Sequence, residues 1–462
     1  MPRAWIGLGL LGLTTACFNP DDAPAAAETD TDAVASTGDG AESSGATSAS
    51  DPSVGESGSS TGTPDPSGDD TDSTTTGLTT DTTTGTEGDD ESSGGGDESS
   101  TGEVPVDPAC EDGIVVATEV CFETGLSLEG NNYRFGFLED LDGDGERDLI
   151  YSETSGELSV QLNSGGVFGL ATMSTFNGVT SLSDLGFLQI DDDGVLDAFM
   201  VSISGAVVYT SFGATSGDFT LGDGESSEVF AFTMGDMTGD GREEAIAMSL
   251  DGLEIFGVAT DGTISVLENV QPENIFDYEA VRVADFNGDE QRDVIFVGDN
   301  FMEGPQVQMY LGNGDGTLGA AALSGFVEVD APTDLVVGDF DGDDAMDFVI
   351  ADGSALLRVY GNDALAFSQA DDITVDSGTV SVLATADIDL DGIDDLLVGY
   401  SDRNVVTVYL GTDAGDFAAP EDVSIGHSVE RISTGDANGD GVPDIVVTSN
   451  AADSLTVLFS NN

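Results

Sequence analysis

The sequence has no lysine. Its nine basic residues are all arginine and stand against 90 Asp and Glu, giving a formal net charge of −81. Such a chain repels phosphate backbones and anionic headgroups, which excludes charge-driven binding to nucleic acid or to a bare membrane surface. Histidine occurs once, as His427. With one histidine, no lysine and no acidic pair that stands apart from the carboxylates of a repeated acidic loop, a non-enzymatic role is expected. The sole tryptophan, Trp5, lies at the extreme N-terminus. Long apolar runs are also absent. Ala4 to Leu13 stands out, and it is too short for a permanent membrane span.

That segment reads as the core of an export signal, with Arg3 before it and Thr14-Thr15-Ala16-Cys17 after it. The junction resembles a bacterial lipobox, although Thr14 stands where Leu is usual. A lipoprotein-type signal over residues 1–16 and lipidation of Cys17 are expected; ordinary cleavage after Ala16 is the alternative. Lipidation would place the protein in the cell envelope, at the outer surface or in the periplasm, in contact with a membrane through a lipid anchor alone. The other two cysteines, Cys110 and Cys121, form an even pair that predicts a disulfide in an oxidising compartment. Residues 17–108 are Ser, Thr, Gly, Asp, Glu and Ala without period, as in Ser73 to Gly85. This composition cannot bury a core and predicts a disordered tether with a reach of roughly 50–60 Å.

From residue 109 to 462 the chain is organised by a short acidic motif. Asp140 to Asp148 reads D-L-D-G-D-G-E-R-D. Carboxylates at alternate positions of one short loop repel unless a cation sits among them, and Ca²⁺ takes six to eight oxygens at roughly 2.3–2.6 Å. Gly145, at position 6, permits the sharp turn. The motif recurs with starts at Gln189, Asp236, Asp285, Asp339, Asp387 and Asp436, at intervals of 49, 47, 49, 54, 48 and 49 residues. Seven Ca²⁺ would cancel only about 14 charges, so surface and linker carry the remaining acidity, as suits a salt-rich habitat.

Each repeat has the same surroundings. An apolar alternation such as Val281 to Ala284 precedes the loop, and a run such as Val294 to Val297 or Ile445 to Val447 follows it. The second run is apolar enough to be buried on both faces. A third strand ends in a Gly-rich turn, as in Val307 to Gly316, and a weaker fourth is expected, for example at Phe326 to Val329. Four strands per repeat at this period predict an all-β, seven-bladed β-propeller. The last repeat stops after its third strand, so residues near Gly113 to Phe122 are expected to supply the missing outer strand and close the ring.

An EF-hand would need an acidic residue at position 12, where this chain has Tyr151, Met200, Ala247, Phe296, Ile350, Val398 and Val447. The acidic residue falls at position 9. Loop, strands and Gly-rich turn together resemble the FG-GAP/VCBS repeat, also found in integrin alpha propellers, over roughly Gly113 to Asn462. The resemblance implies Ca²⁺ held by side chains at positions 1, 3, 5 and 9 and a carbonyl at position 7. Carried over, the ligands are Asp140, Asp142, Asp144 and Asp148; Asp191, Asp193 and Asp197; Asp236, Asp240 and Glu244; and Asp285, Asn287, Asp289 and Asp293. The last three sets are Asp339, Asp341, Asp343 and Asp347; Asp387, Asp389, Asp391 and Asp395; and Asp436, Asn438, Asp440 and Asp444. Gln189 and Thr238 replace ligands in the second and third sites, which are expected to bind most weakly, while Glu290 and Asp344 replace the turn glycine. The ions read as structural staples. The domain is expected to be a monomeric binding or adhesion module for an unidentified protein or glycan, with an envelope scaffold as the alternative and a propeller lyase or hydrolase as a lesser one.

Overall fold

In the computed structural model the described residues are 121–462, except 154–155, 180, 203–205, 273–274, 301–303, 325–328, 362–364, 371, 376, 413–414 and 461–462. The export signal, Cys17, the linker, Cys110 and residues 113–120 lie outside them. No helix among the described residues is long and apolar enough to cross a membrane.

The described chain forms seven antiparallel sheets, the blades of a propeller. Six are built in chain order. Blade 4 is typical, with Ile275–Ala284, Asp293–Asn300, Gly304–Gly312 and Leu318–Ser324 as its first to fourth strands. In every blade the acidic loop joins the first strand to the second. Blade 4's fourth strand follows its Gly-rich turn directly. Of the strand expected at 326–329, residues 326–328 lie outside the described ones, and Val329 is buried without belonging to a strand. In blade 5 the fourth position is split into Ser368–Gln369 and Ile373–Thr374, both paired with the third strand.

The second strands explain how blades stack. Those of blades 2, 3, 6 and 7 are buried at every residue. Alternate side chains point to opposite sheet faces, and each face meets a different neighbour. In blade 5, Phe348 and Ile350 pack towards blade 4, while Val349 and Ala351 pack towards blade 6. Seven apolar clusters result, one at each seam between adjacent blades. The first strands lie innermost and line a central channel, and glycines there allow close approach. A Cβ on Gly136 of blade 1 would lie 2.8 Å from Val446 Cγ1 of blade 7.

Ring closure takes the expected form at a different place. Blade 7 contains Arg431–Gly435, Asp444–Ser449 and Ser454–Ser460, and its outer strand is Phe122–Glu129 from the start of the domain. Phe122 pairs with Ser460 and Glu129 with Ser454. The expected segment overlaps this strand only at Phe122. The strand reads F-E-T-G-L-S-L-E and is largely exposed; the rest of the expected segment, residues 113–120, lies outside the described residues. Cys121, just ahead of it, is buried and disulfide-bonded.

Deleting residues 122–129 would leave Ser454–Ser460 as a bare edge. Light scattering is expected to show self-association of the truncated protein; a monodisperse, fully stable product would refute closure as a stabilising element.

Candidate metal centre

The seven loops share one hydrogen-bond pattern, described by positions counted from residues 140, 189, 236, 285, 339, 387 and 436. Where position 1 is Asp, its two oxygens accept backbone N–H groups from inside the loop. In the first loop these donors are Gly143 at 2.8 Å and Gly145 at 3.0 Å. The position 5 carboxylate accepts the N–H of position 7 in all seven, from Glu146 to Asp144 at 2.9 Å through Val442 to Asp440 at 2.9 Å. These bonds wrap the backbone around the carboxylates. The turn needs left-handed geometry at position 6, where φ runs from 67° at Glu290 to 90° at Gly145, Gly392 and Gly441. Asp344 adopts it at 68°. A non-glycine residue there costs about 1–2 kcal/mol, so the fourth and fifth loops carry strain at this position that the others avoid.

Position 9 does something different. Asp148, Asp197, Asp293, Asp347, Asp395 and Asp444 are at most 1% exposed, and Glu244 is 7% exposed. One oxygen accepts the N–H of position 2, as from Phe286 to Asp293 at 3.0 Å. In the six Asp cases the other oxygen accepts an N–H at the end of the third strand, from Asn163, Gly213, Gly312, Gly361, Gly411 or Ser460, at 2.7–2.9 Å. One side chain thus ties the loop's start to two strands of its blade. Glu244, longer by a methylene, instead bonds Met237 and Thr238.

Side-chain oxygens of three acidic residues converge within 4.8 Å at three loops: Asp140, Asp142 and Asp144; Asp339, Asp341 and Asp347; and Asp387, Asp389 and Asp395. These clusters could hold a metal ion. The donors are all oxygen, the set that suits a hard divalent cation. The loop at Asp339 converges despite Asp344 at its turn. The loops at Asp285 and Asp436 keep the same fold with Asn287 and Asn438 at position 3; Asn438 Nδ2 donates to Asp440 Oδ2 at 3.1 Å. Asp191, Asp193 and Asp197 share the second loop with Gln189, whose Oε1 is buried and lacks a hydrogen-bond partner. In the third loop Asp236 and Asp240 keep their turn bonds, and Thr238 Oγ1 contacts Glu244 Oε1 at 3.4 Å.

Burial sets the protonation of position 9. Desolvation pushes Asp347 and Asp395 up to about 7, and Asp148, Asp293 and Asp444 up to about 6, against the opposing pull of their backbone donors. Neighbouring loop carboxylates push Asp347 and Asp395 the same way. A divalent cation within the loop would reverse this, favouring the charged form.

Three recurrent features of the loops were legible yet unread. Position 2 is always apolar and buried, from Leu141 to Ala437. Position 4 is also left-handed, including Asp192 at 60° and Leu390 at 59°. A glycine closes the third strand in four blades, because a Cβ on Gly213, Gly312, Gly361 or Gly411 would come within 2.0–2.6 Å of the position 8 carbonyl. Neighbouring loops are also bonded to one another. Leu196 N–H donates to Leu141 O at 3.0 Å, Asp394 N–H to Asp339 O at 2.9 Å, and Asn163 Nδ2 to Ala437 O.

Elsewhere, a central channel of about 730 Å³ is lined by six carboxylates and two arginines, with phenylalanines and no tyrosine. Both arginines are paired, Arg282 with Asp334 at 2.8 Å and Arg431 with Asp184 at 3.2 Å. His427 is buried; Ser428 O lies 2.8 Å from its Nδ1 and Thr456 Oγ1 lies 3.0 Å from its Nε2.

A family model for FG-GAP-like repeats matches residues 285–350 and 387–447. The chain therefore carries FG-GAP-like repeats within a seven-bladed β-propeller. Among curated proteins none matches the sequence. Of solved structures, BBS1N in complex with ARL6DN, soaked with mercury, is similar at a TM-score of 0.53 and 10% identity, covering 73% of this chain and 96% of that one. Its lead-soaked counterpart gives 0.52 and 11%, covering 73% and 95%. A lectin of Agrocybe aegerita that recognises non-reducing terminal N-acetylglucosamine gives 0.49 and 18%, covering 72% and 86%. At such identities the likeness is one of fold.

Gly312→Ala drives a methyl into Arg292 O, whereas Gly145→Ala meets open space and only left-handed strain. Denaturant unfolding is expected to show a loss of about 1–2 kcal/mol for Gly145→Ala and a clearly larger one for Gly312→Ala. For pH, the folded protein binds more protons than the unfolded chain between about pH 4, where free Asp ionises, and about 7, where Asp347 and Asp395 titrate. Stability in EGTA should therefore fall as pH rises through that window. A flat or rising profile would contradict the assignment.

Proposed function

We propose that the protein is an exported, lipid-anchored propeller, stabilised by Ca²⁺, that binds a protein or glycan at the envelope surface. What carries this reading is the use of the polar groups. The buried carboxylates are committed to holding strands and loops, the channel arginines to ion pairs, and the one histidine to two hydrogen bonds. That leaves a rigid closed ring with faces to present, a platform for recognition rather than for proton transfer. A seven-bladed propeller with FG-GAP-like repeats supports a binding role, and the BBS1N propeller was crystallised in complex with a protein. Fold alone does not choose the ligand.

The acidic loops would hold the ions as staples. Ca²⁺ tolerates irregular coordination by six to eight oxygens, which suits a ring of loops with unequal ligand sets. The loops at Asp140, Asp339 and Asp387 bring their carboxylates closest together and would load first. Export and the lipid anchor rest on residues 1–17, with the 17–108 tether lifting the propeller from the membrane.

Calorimetric titration should show Ca²⁺ uptake reversed by EGTA, with a rise in melting temperature. Protons should be released on binding below about pH 7, because the position 9 carboxylates must ionise. Asp395→Asn should remove one site, with a smaller loss at the adjoining Asp339 loop, to which Asp394 bonds. No heat and no thermal shift would sink the calcium reading. Cys17→Ala should move the protein from the membrane to the soluble fraction; unchanged partitioning would refute the anchor.

A further inference from the structure

The face of the ring opposite the acidic loops carries an unused pocket. First strands run from that face towards the loops, so Asp184 and Phe230, near the starts of Leu182–Leu188 and Val229–Gly235, lie at its channel mouth. Arg431, first in Arg431–Gly435, lies there too. Between blades 2 and 3 these residues, with Val201, Phe232 and Glu228, enclose about 290 Å³ opening beside the channel. The walls are mainly apolar, and the volume suits one large side chain. Phe230 is 43% exposed, with its ring centroid 6.4 Å from that of Tyr278. Leu250, 66% exposed, follows the strand that pairs with Val229, and its N–H donates to Glu228 O. Two large apolar side chains thus stand in water beside a preformed cavity.

Charge and chain path narrow the occupant. Around the pocket, Asp184 and Glu228 oppose one guanidinium, Arg431, and the adjoining channel has six carboxylates against two arginines. An apolar group arriving alone would gain burial; one flanked by cations would gain attraction as well. The described chain begins at the other face. Phe122 pairs with Ser460, whose N–H donates to Asp444 in the seventh acidic loop. The first described strand therefore starts at the loop face, and the pocket lies at the opposite one.

We infer that this pocket is the docking site for a protein partner that inserts an apolar side chain set among basic residues. The inference rests on the binding role proposed above. Its failure would leave that role intact, because a ligand could still be detected on another face.

The test uses the full protein in saturating Ca²⁺, so that the loops do not compete for cations. The probes are acetyl-Lys-Phe-Lys-amide, acetyl-Lys-Ser-Lys-amide and acetyl-Glu-Phe-Glu-amide, with affinity read by NMR titration. The Lys-Phe-Lys peptide is expected to bind at least about tenfold more tightly than Lys-Ser-Lys, from burial of the ring. The Glu-Phe-Glu peptide should be weaker than Lys-Phe-Lys. Phe230→Ala should weaken Lys-Phe-Lys by roughly two- to tenfold, the range of an aromatic pair, and Leu250→Ala should weaken it in the same direction. Both side chains are exposed, and an unchanged melting temperature would confirm that the variants fold. Equal affinity for the two lysine peptides would reduce the effect to general acidity and overturn the proposal. So would indifference to Phe230→Ala, or a glycan-array signal lost in Phe230→Ala while the peptides fail to bind.

Discussion

The structure depends on carboxylates placed where water cannot reach them. A buried ionised carboxylate costs several kcal/mol unless it is hydrogen-bonded or paired, and this ring contains such a group in every blade. Asp293 shows how the fold tolerates it. Its oxygens receive N–H groups from Phe286 and Gly312, two backbone donors that would otherwise be buried without partners at the loop start and the strand end. The side chain and the backbone therefore satisfy each other. Remove the carboxylate and two donors are orphaned in the core. Its placement next to further carboxylates has no such local compensation. A cation would supply it, and at three loops the carboxylates come close enough together to hold one.

Arginine is the second kind of tie, and its use follows from the absence of lysine. A guanidinium can bond several acceptors at once in fixed geometry, which suits joints between blades. Arg242 of blade 3 bonds both oxygens of Asp192 in blade 2 at 2.6 Å. Arg358 of blade 5 reaches Gly415 O and Asp416 of blade 6 and lies 5.9 Å from the centre of the Phe417 ring. Arg431 passes blade 1 altogether, linking blade 7 to Asp184 and Ser183 O of blade 2. Arg242, Arg282, Arg358 and Arg431 thus make joints between blades, while Arg147 and Arg403 pair with Glu139 and Asp422 of their own blades.

The fold was largely legible because the motif is periodic and the strands beside it are apolar. Val294 to Val297 and Ile445 to Val447 lie in strands buried on both faces, as their unbroken hydrophobicity implies. What escaped was peripheral. Outer strands are half in water, so Phe122–Glu129 and Leu318–Ser324 carry little alternating pattern from which to set their bounds. At the site, ligand positions could be numbered, but the partners of position 9 could not. The N–H of Gly312 lies 19 residues from Asp293, and only the closed blade brings them together. The pairing of Arg431 with Asp184, separated by 247 residues, was beyond any local reading.

Because loops of adjacent blades bond to each other, the ring does not behave as seven independent rivets. Leu141 O in the first loop accepts Leu196 N–H of the second, and Ala437 O in the seventh accepts from Asn163 at the end of blade 1's third strand. The donor in one blade flanks the same position 9 carboxylate that orders its own loop: Leu196 precedes Asp197, and Asn163 donates its backbone N–H to Asp148. A loop that loses its order thus loosens a bond into the neighbouring blade, at the seam where an apolar cluster also has to close. Closed repeat rings share their stability between neighbours. Here the sharing passes through polar contacts as well as packing, so a ligand-poor loop such as that holding Gln189 is tied to the better-formed first loop beside it through Leu196 and Leu141.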